Sequence, residues 1–154
     1  MNALLNDEET LSFLRRQARD ARYVTSVCTG ALVLGAAGLL KGRRAATHWM
    51  SRDMLKAFGA VPVAERVVID GNVVTGGGVT AGIDFALTIA AEAFGEDLAK
   101  AIQLGIEYDP QPPFRAGSPE GAGAAIVEKA RTGAARRQAE RESAVKQAAA
   151  RLAG

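Results

Sequence analysis

Between Arg22 and Gly38 the chain reads RYVTSVCTGALVLGAAG, a β-branched run that stops at a lone cysteine and gives way at once to small apolar residues. Val24, Thr25, Ser26 and Val27 favour the extended state, whereas Ala31, Leu32, Leu34, Ala36 and Ala37 favour the helix. The pattern dictates strand, sharp turn and helix, with Cys28 on the hinge. A thiol there faces the N-terminus of the following helix, whose unpaired N–H groups and dipole favour a thiolate. Free cysteine in an apolar run is more often inert packing than chemistry. Its place on a strand-to-helix turn, where α/β folds put ligand chemistry, separates Cys28 from that majority and marks a nucleophile elbow.

Composition narrows the partners. At 154 residues the chain has the size of one domain and can bury a sizeable core. Lys+Arg number 19 against 17 Asp+Glu, and a net charge of +2 is too small to argue for nucleic acid or an anionic membrane. One cysteine and one histidine exclude a disulfide framework, a zinc cluster and a dithiol redox pair, so no metal is expected. MNALLNDEETLSF is not a basic segment followed by a long apolar one, and Lys41, Arg43 and Arg44 close the longest apolar run short of membrane-spanning length. A reducing cytoplasm is the expected setting.

In chain order, residues 7–21 place Leu11, Leu14 and Ala18 on one face, with acids first and arginines last, which predicts an amphipathic helix matched to its dipole. Ala45 to Thr47 reads as a short strand, and 51–58 as a short helix stopped by Gly59. From Val61 to Thr75, β-branched residues flank Asp70-Gly71-Asn72 and predict a hairpin. The next helix, to about Phe94, is apolar on most sides and is expected to be buried. A further helix over 96–108 is expected to turn Leu98, Ile102 and Ile106 inward. The Pro/Gly-rich segment DPQPPFRAGSPEGAG reads as a loop. From about Ala124 to Ala153 runs a helix poor in large apolar residues, expected to be exposed on most faces or to reach a second subunit. Alternating strands and helices predict an α/β sheet flanked by helices.

Three features compete for chemistry beside Cys28. His48 could serve it as a general base from the end of the next strand, or simply stack beside Trp49. Thr29 could touch a reacting group, offer its N–H to an oxyanion, or cap the helix. Gly76, Gly78 and Gly82 form G-x-G-x-x-x-G, one residue too long for a dinucleotide fingerprint. That run predicts a close backbone turn past the Cys28 pocket, with Val79 and Thr80 at its rim. Lys41, Arg43 and Arg44 read as a solvated basic turn.

The run SVCTGALVLGAAGLLKGRRAATHW, Ser26 to Trp49, resembles the elbow segment of the ThiJ/PfpI superfamily, the glutamine-amidotransferase-like α/β proteins. ERVVIDGNVVTGGGVTAGIDFALTIAAE and EYDPQPPFRAGSP are similar to its isonitrile hydratase branch. The resemblance implies a flavodoxin-like, class I glutamine-amidotransferase-like sheet flanked by helices. It implies hydration of isonitriles to N-substituted formamides, with Cys28 as nucleophile and Thr29 beside it. Gly30, His48, Gly77, Val79 and Thr80 would then contact a small-molecule substrate, without metal or organic cofactor, in a cytoplasmic homodimer. Alternatives within the resemblance are deglycase- or glyoxalase-like action and a non-enzymatic ligand- or redox-sensing domain. Amidotransferase-like sensor domains of transcription regulators share the CTGA and THW patterns, but no helix-turn-helix region is visible here.

One departure matters. Such proteins carry the acidic partner of the cysteine, and a glycine-rich loop supplying a further oxyanion N–H, ahead of the segment that begins here. Two βα units would account for roughly 60 to 80 residues. The expectation is therefore a truncated member lacking N-terminal strands, with residues 1–123 the C-terminal portion of one α/β domain and 124–154 its helical extension. Impaired activity follows from the missing acid.

Overall fold

The computed structural model describes residues 1–154. A 3-10 turn at Ala3–Asn6 leads into α1 (Glu8–Ala18). Asp7 caps α1 by accepting the Glu9 N–H at 3.2 Å, and Glu8 and Glu9 open the helix that Arg15 and Arg16 close, so its charges oppose its dipole. Strand β1 (Val24–Val27) and helix α2 (Gly30–Ala36) follow on either side of the expected hinge. Every residue of α2 from Ala31 to Ala36 is buried, which makes it the centre of the core. Leu5, Leu11, Leu32, Leu40 and Leu55 pack about it.

The hairpin forms as β4 (Val67–Asp70) and β5 (Val73–Gly76), antiparallel with Asp70 opposite Val73. Gly71 sits at φ +61°, a conformation that costs a residue without Cβ little. β5 also runs parallel to β1, from Val24 opposite Val73 to Val27 opposite Gly76, giving a sheet of order β1-β5-β4. Between these lie β2 (Arg44–Ala45) and β3 (Val61–Pro62), a separate parallel pair. Val61 thus belongs to a second small sheet and not to the hairpin. Pro62, which lacks an N–H, suits such a two-stranded edge. Residues Trp49–Phe58 form a 3-10 helix ended by Gly59, tighter than the helix expected there.

Thr75 ties the two sheets together. Its buried Oγ1 accepts the Ala46 N–H at 2.8 Å, so the strand next to Cys28 also fixes the backbone leading to His48. A buried N–H left without that acceptor would be costly.

Two expectations fail on burial. Helix α3 (Ala81–Phe94) buries only Ala81 fully, and Phe94 is 74 % exposed. In α4 (Glu96–Gly105) and just after it, Leu98, Ile102 and Ile106 are 47 %, 40 % and 56 % exposed instead of turned inward. The pair pack on each other, and α3 leans on the sheet, but no element of these residues crosses their outer face. Apolar periodicity says that a face wants cover; it does not say what supplies it.

After the short α5 (Pro119–Ala122), α6 (Ala124–Ala153) runs back along this chain. Ala134, Val145 and Ala148 are buried, Arg151 Nη2 donates to the Leu5 carbonyl at 2.8 Å, and Arg141 Nη1 donates to Ser51 Oγ at 3.0 Å. Its seam is built of small residues, which let the helix approach closely without large apolar side chains.

Candidate active site

Cys28 lies between β1 and α2 at φ +57°, in the left-handed region that non-glycine residues rarely occupy. The surroundings hold it there. Its N–H donates to the Gly76 carbonyl at 3.0 Å, and its carbonyl accepts Thr47 Oγ1 at 2.7 Å. Strain of order 1–3 kcal/mol persists only when neighbours over-determine the geometry, as two strands and a hydroxyl do here. The thiol is half-buried. Thr29 occupies the N-cap position of α2, yet its hydroxyl makes no capping bond and stays free for other use. Gly30 begins the helix directly over Ser26, whose hydroxyl is buried without a partner.

Beside the elbow opens a cavity of about 520 Å³. His48, Gly77, Val79 and Thr80 line it, joined by Thr47, Trp49, Arg52, Arg66 and the loop Gly117–Glu120. Val79, 79 % exposed, stands at the rim. Cys28, Thr29 and Gly30 are not part of the wall. Thr47 bridges the two groups, since it both faces the cavity and holds the Cys28 carbonyl. Thr80 is held in turn by Arg66 Nη2 at 3.2 Å, and Arg66 is paired with Asp84. Tyr108 donates to the same carboxylate at 3.2 Å.

His48 is not placed as a base for Cys28. No hydrogen bond joins them, and His48 Nδ1 accepts the Met50 N–H at 3.3 Å. Burial, and secondarily the nearby Arg141 charge, hold its pKa below the ordinary value of 6.5. A neutral imidazole accepting at Nδ1 carries its proton on Nε2, so His48 offers a donor. Because the folded state resists protonation, the unfolded chain binds more protons as pH drops below about 6.5. Stability contributed by neutral His48 is present above that pH and is lost as pH falls through the lowered folded value. Urea unfolding at pH 7.5 and 5.5 is expected to show lower stability at 5.5, with a smaller difference in His48→Asn. An equal difference in the variant would assign the effect elsewhere.

Thr47, Arg52, Tyr108 and the 117–120 loop were not singled out by the sequence. Thr47 stands in the THW pattern, where its β-branched type argues only for strand. The loop showed its irregularity and not its destination. No group of three or more His, Cys, Asp or Glu side chains is arranged to hold a metal ion, and no helix is long and apolar enough to cross a membrane.

Residues 1–92 match the model of the DJ-1/PfpI family. The chain belongs to the DJ-1/PfpI family. It is 58% identical over 149 residues to an isonitrile hydratase of Pseudomonas putida, covering 97% of this chain and 65% of that protein. It also resembles the transcriptional regulator GbdR of Pseudomonas aeruginosa, with 38% identity over 66% of this chain and 28% of the regulator. A crystal structure of a ThiJ/PfpI family protein from Pseudomonas syringae superimposes with a TM-score of 0.89 at 46% identity, covering 94% of this chain and 60% of that one. The sheet flanked by helices is thus the flavodoxin-like fold of this family, and the chain spans just under two thirds of those two relatives.

Proposed function

We propose that the protein is an isonitrile hydratase in which Cys28 is the nucleophile. The observation that carries this reading is the 58% identity to the Pseudomonas putida enzyme, which extends over 97% of the chain and so over both elbow and cavity wall. The Cys28 sulfur bonds to the terminal isonitrile carbon while the thiol proton passes to that carbon, giving a thioimidate. Water then adds to the same carbon, the C–S bond breaks, the thiol regains a proton and the N-substituted formamide leaves. The sum is isonitrile plus water to formamide. Thr29 and the neutral His48 act as hydrogen-bond donors toward the reacting groups, and Gly30, Gly77, Val79 and Thr80 shape the approach. The enzyme works on a small molecule as a cytoplasmic homodimer without metal or organic cofactor, residues 1–123 forming part of one α/β domain and 124–154 its extension.

Among these residues no carboxylate is hydrogen-bonded to Cys28, and this supports impaired turnover by residues 1–154. Formamide release from a simple alkyl isonitrile should be followed for residues 1–154 and for a fusion behind the N-terminal portion of the Pseudomonas putida enzyme. The fusion is expected to be at least about 100-fold faster, the usual worth of a positioned acid or base. Comparable rates would remove the impairment; an inactive fusion that consumes methylglyoxal would replace hydration with carbonyl chemistry. A second reading, a ligand- or redox-sensing domain without turnover, is favoured by the cavity wall stopping short of Cys28. It gains if neither substrate is consumed while Cys28 oxidises under mild peroxide.

A further inference from the structure

The cavity is unusual in its lining. Small-molecule pockets are mostly apolar with a few placed polar groups, but here Trp49, Ala64, Val79 and Pro119 are the only apolar side chains among fifteen lining residues. The charged residues on its wall are not equivalent. Glu65 is paired with Arg44, and Arg66 with Asp84. Arg52 makes no ion pair, and its Nε is buried without a hydrogen-bond acceptor. The remaining charge, Glu120, is exposed. Its own backbone N–H and the Ser118 hydroxyl hold its carboxyl below the usual range, with a smaller contribution from the Arg52 charge, and no salt bridge ties it to Arg52. Two more cations stand behind this wall: Arg131 lies over the Trp49 ring at 5.4 Å, and Arg141 reaches Ser51.

We propose that Arg52 is a specificity-determining residue that binds a carboxylate carried by the substrate, so that the cavity selects isonitriles with an acidic tail over neutral alkyl ones. This deepens the hydratase reading and rests on it for the reacting end of the molecule. Arg52 follows His48 by four positions on a 3-10 helix, about 8 Å along its axis. Arg52 and His48 line the same cavity at that separation, a span that the two ends of a short bifunctional substrate cover. A planar guanidinium matches a carboxylate with two parallel N–H donors.

Binding can be read without turnover, because Trp49 is the only tryptophan in the chain and lines the cavity. Its fluorescence should be titrated in residues 1–154 with N-formyl-β-alanine and with N-propylformamide, at fixed ionic strength. The carboxylate is expected to bind at least about tenfold more tightly, as a charge-assisted pair would give. Arg52→Gln should abolish that preference and leave N-propylformamide within about twofold, while Arg52→Lys should keep part of it. Equal affinity of the two probes for the unaltered chain, no binding of N-formyl-β-alanine, or a preference that survives Arg52→Gln would each overturn the assignment. Should Arg52→Gln fail to fold, the probe comparison on the unaltered chain and Arg52→Lys still decide. A carboxylate preference in a protein that never hydrates an isonitrile would refute the chemistry and not the Arg52 site; hydration without the preference would do the reverse.

Discussion

Cys28→Ala is expected to lower isonitrile hydration by at least about 10³-fold in the fusion that supplies the preceding segment, because removing a nucleophile removes the covalent route altogether. The substitution is informative because it is small. Alanine keeps a Cβ at φ +57° and leaves the bonds to the Gly76 carbonyl and from Thr47 intact, since both involve the backbone of residue 28. Thermal stability should therefore move by no more than about 1 kcal/mol, as expected for a half-buried thiol replaced by a methyl group. Formamide production at a rate near that of the unaltered fusion would dismiss Cys28 as the nucleophile. Loss of activity together with loss of the folded state would demand Cys28→Ser as the control.

For stability the largest loss is expected at Gly35→Val. This position lies in the buried helix α2, and a Cβ built there would come within 2.5 Å of Phe58 Cδ2 and 2.8 Å of its Cγ. Phe58 is only 2 % exposed and belongs to the core, so its ring has little room to give way. Valine adds two further methyl groups to that contact and a β-branched restriction to the helix. A cost of about 3 kcal/mol or more follows from overpacking, or a fall in Tm on the order of 10 °C for a chain of this size. Gly35→Ala is the sharper comparison. Helix propensity favours alanine by about 1 kcal/mol, whereas the Phe58 contact opposes it. Thermal unfolding followed by circular dichroism should place Gly35→Ala below the unaltered chain and above Gly35→Val. A higher Tm for Gly35→Ala would show that Phe58 moves freely and that the close approach is not what selects glycine.

The elements that could be read from the sequence are those whose cause is local. Asp7 with Glu8 and Glu9 announces the start of α1, Asp70-Gly71 the turn of the hairpin, Gly59 the end of the 3-10 helix. The break from Val24–Val27 to Ala31 announces the elbow. Where the reading failed, the cause was distant in the chain. Val61 carries the residue type of a hairpin strand but pairs with Arg44, since backbone partners are chosen by topology and not by propensity. The apolar α3 and α4 stand exposed because cover is a property of the assembly around a helix.

The site divides along the same line. A single cysteine on a strand-to-helix turn, a THW run and a glycine run before a helix are sequence facts, and they determined that chemistry should centre on Cys28, His48 and residues 77–80. Only the tertiary structure decided that Thr47 holds the Cys28 carbonyl, that His48 is a half-buried neutral donor, and that the loop at 117–120 lines the same cavity as Arg52. Those contacts depend on the register set by Thr75 on Ala46 and on α6 packing back over the 3-10 helix. Hydrogen bonds and desolvation act through space over a few ångströms, and spacing along the chain does not encode which distant groups will meet there.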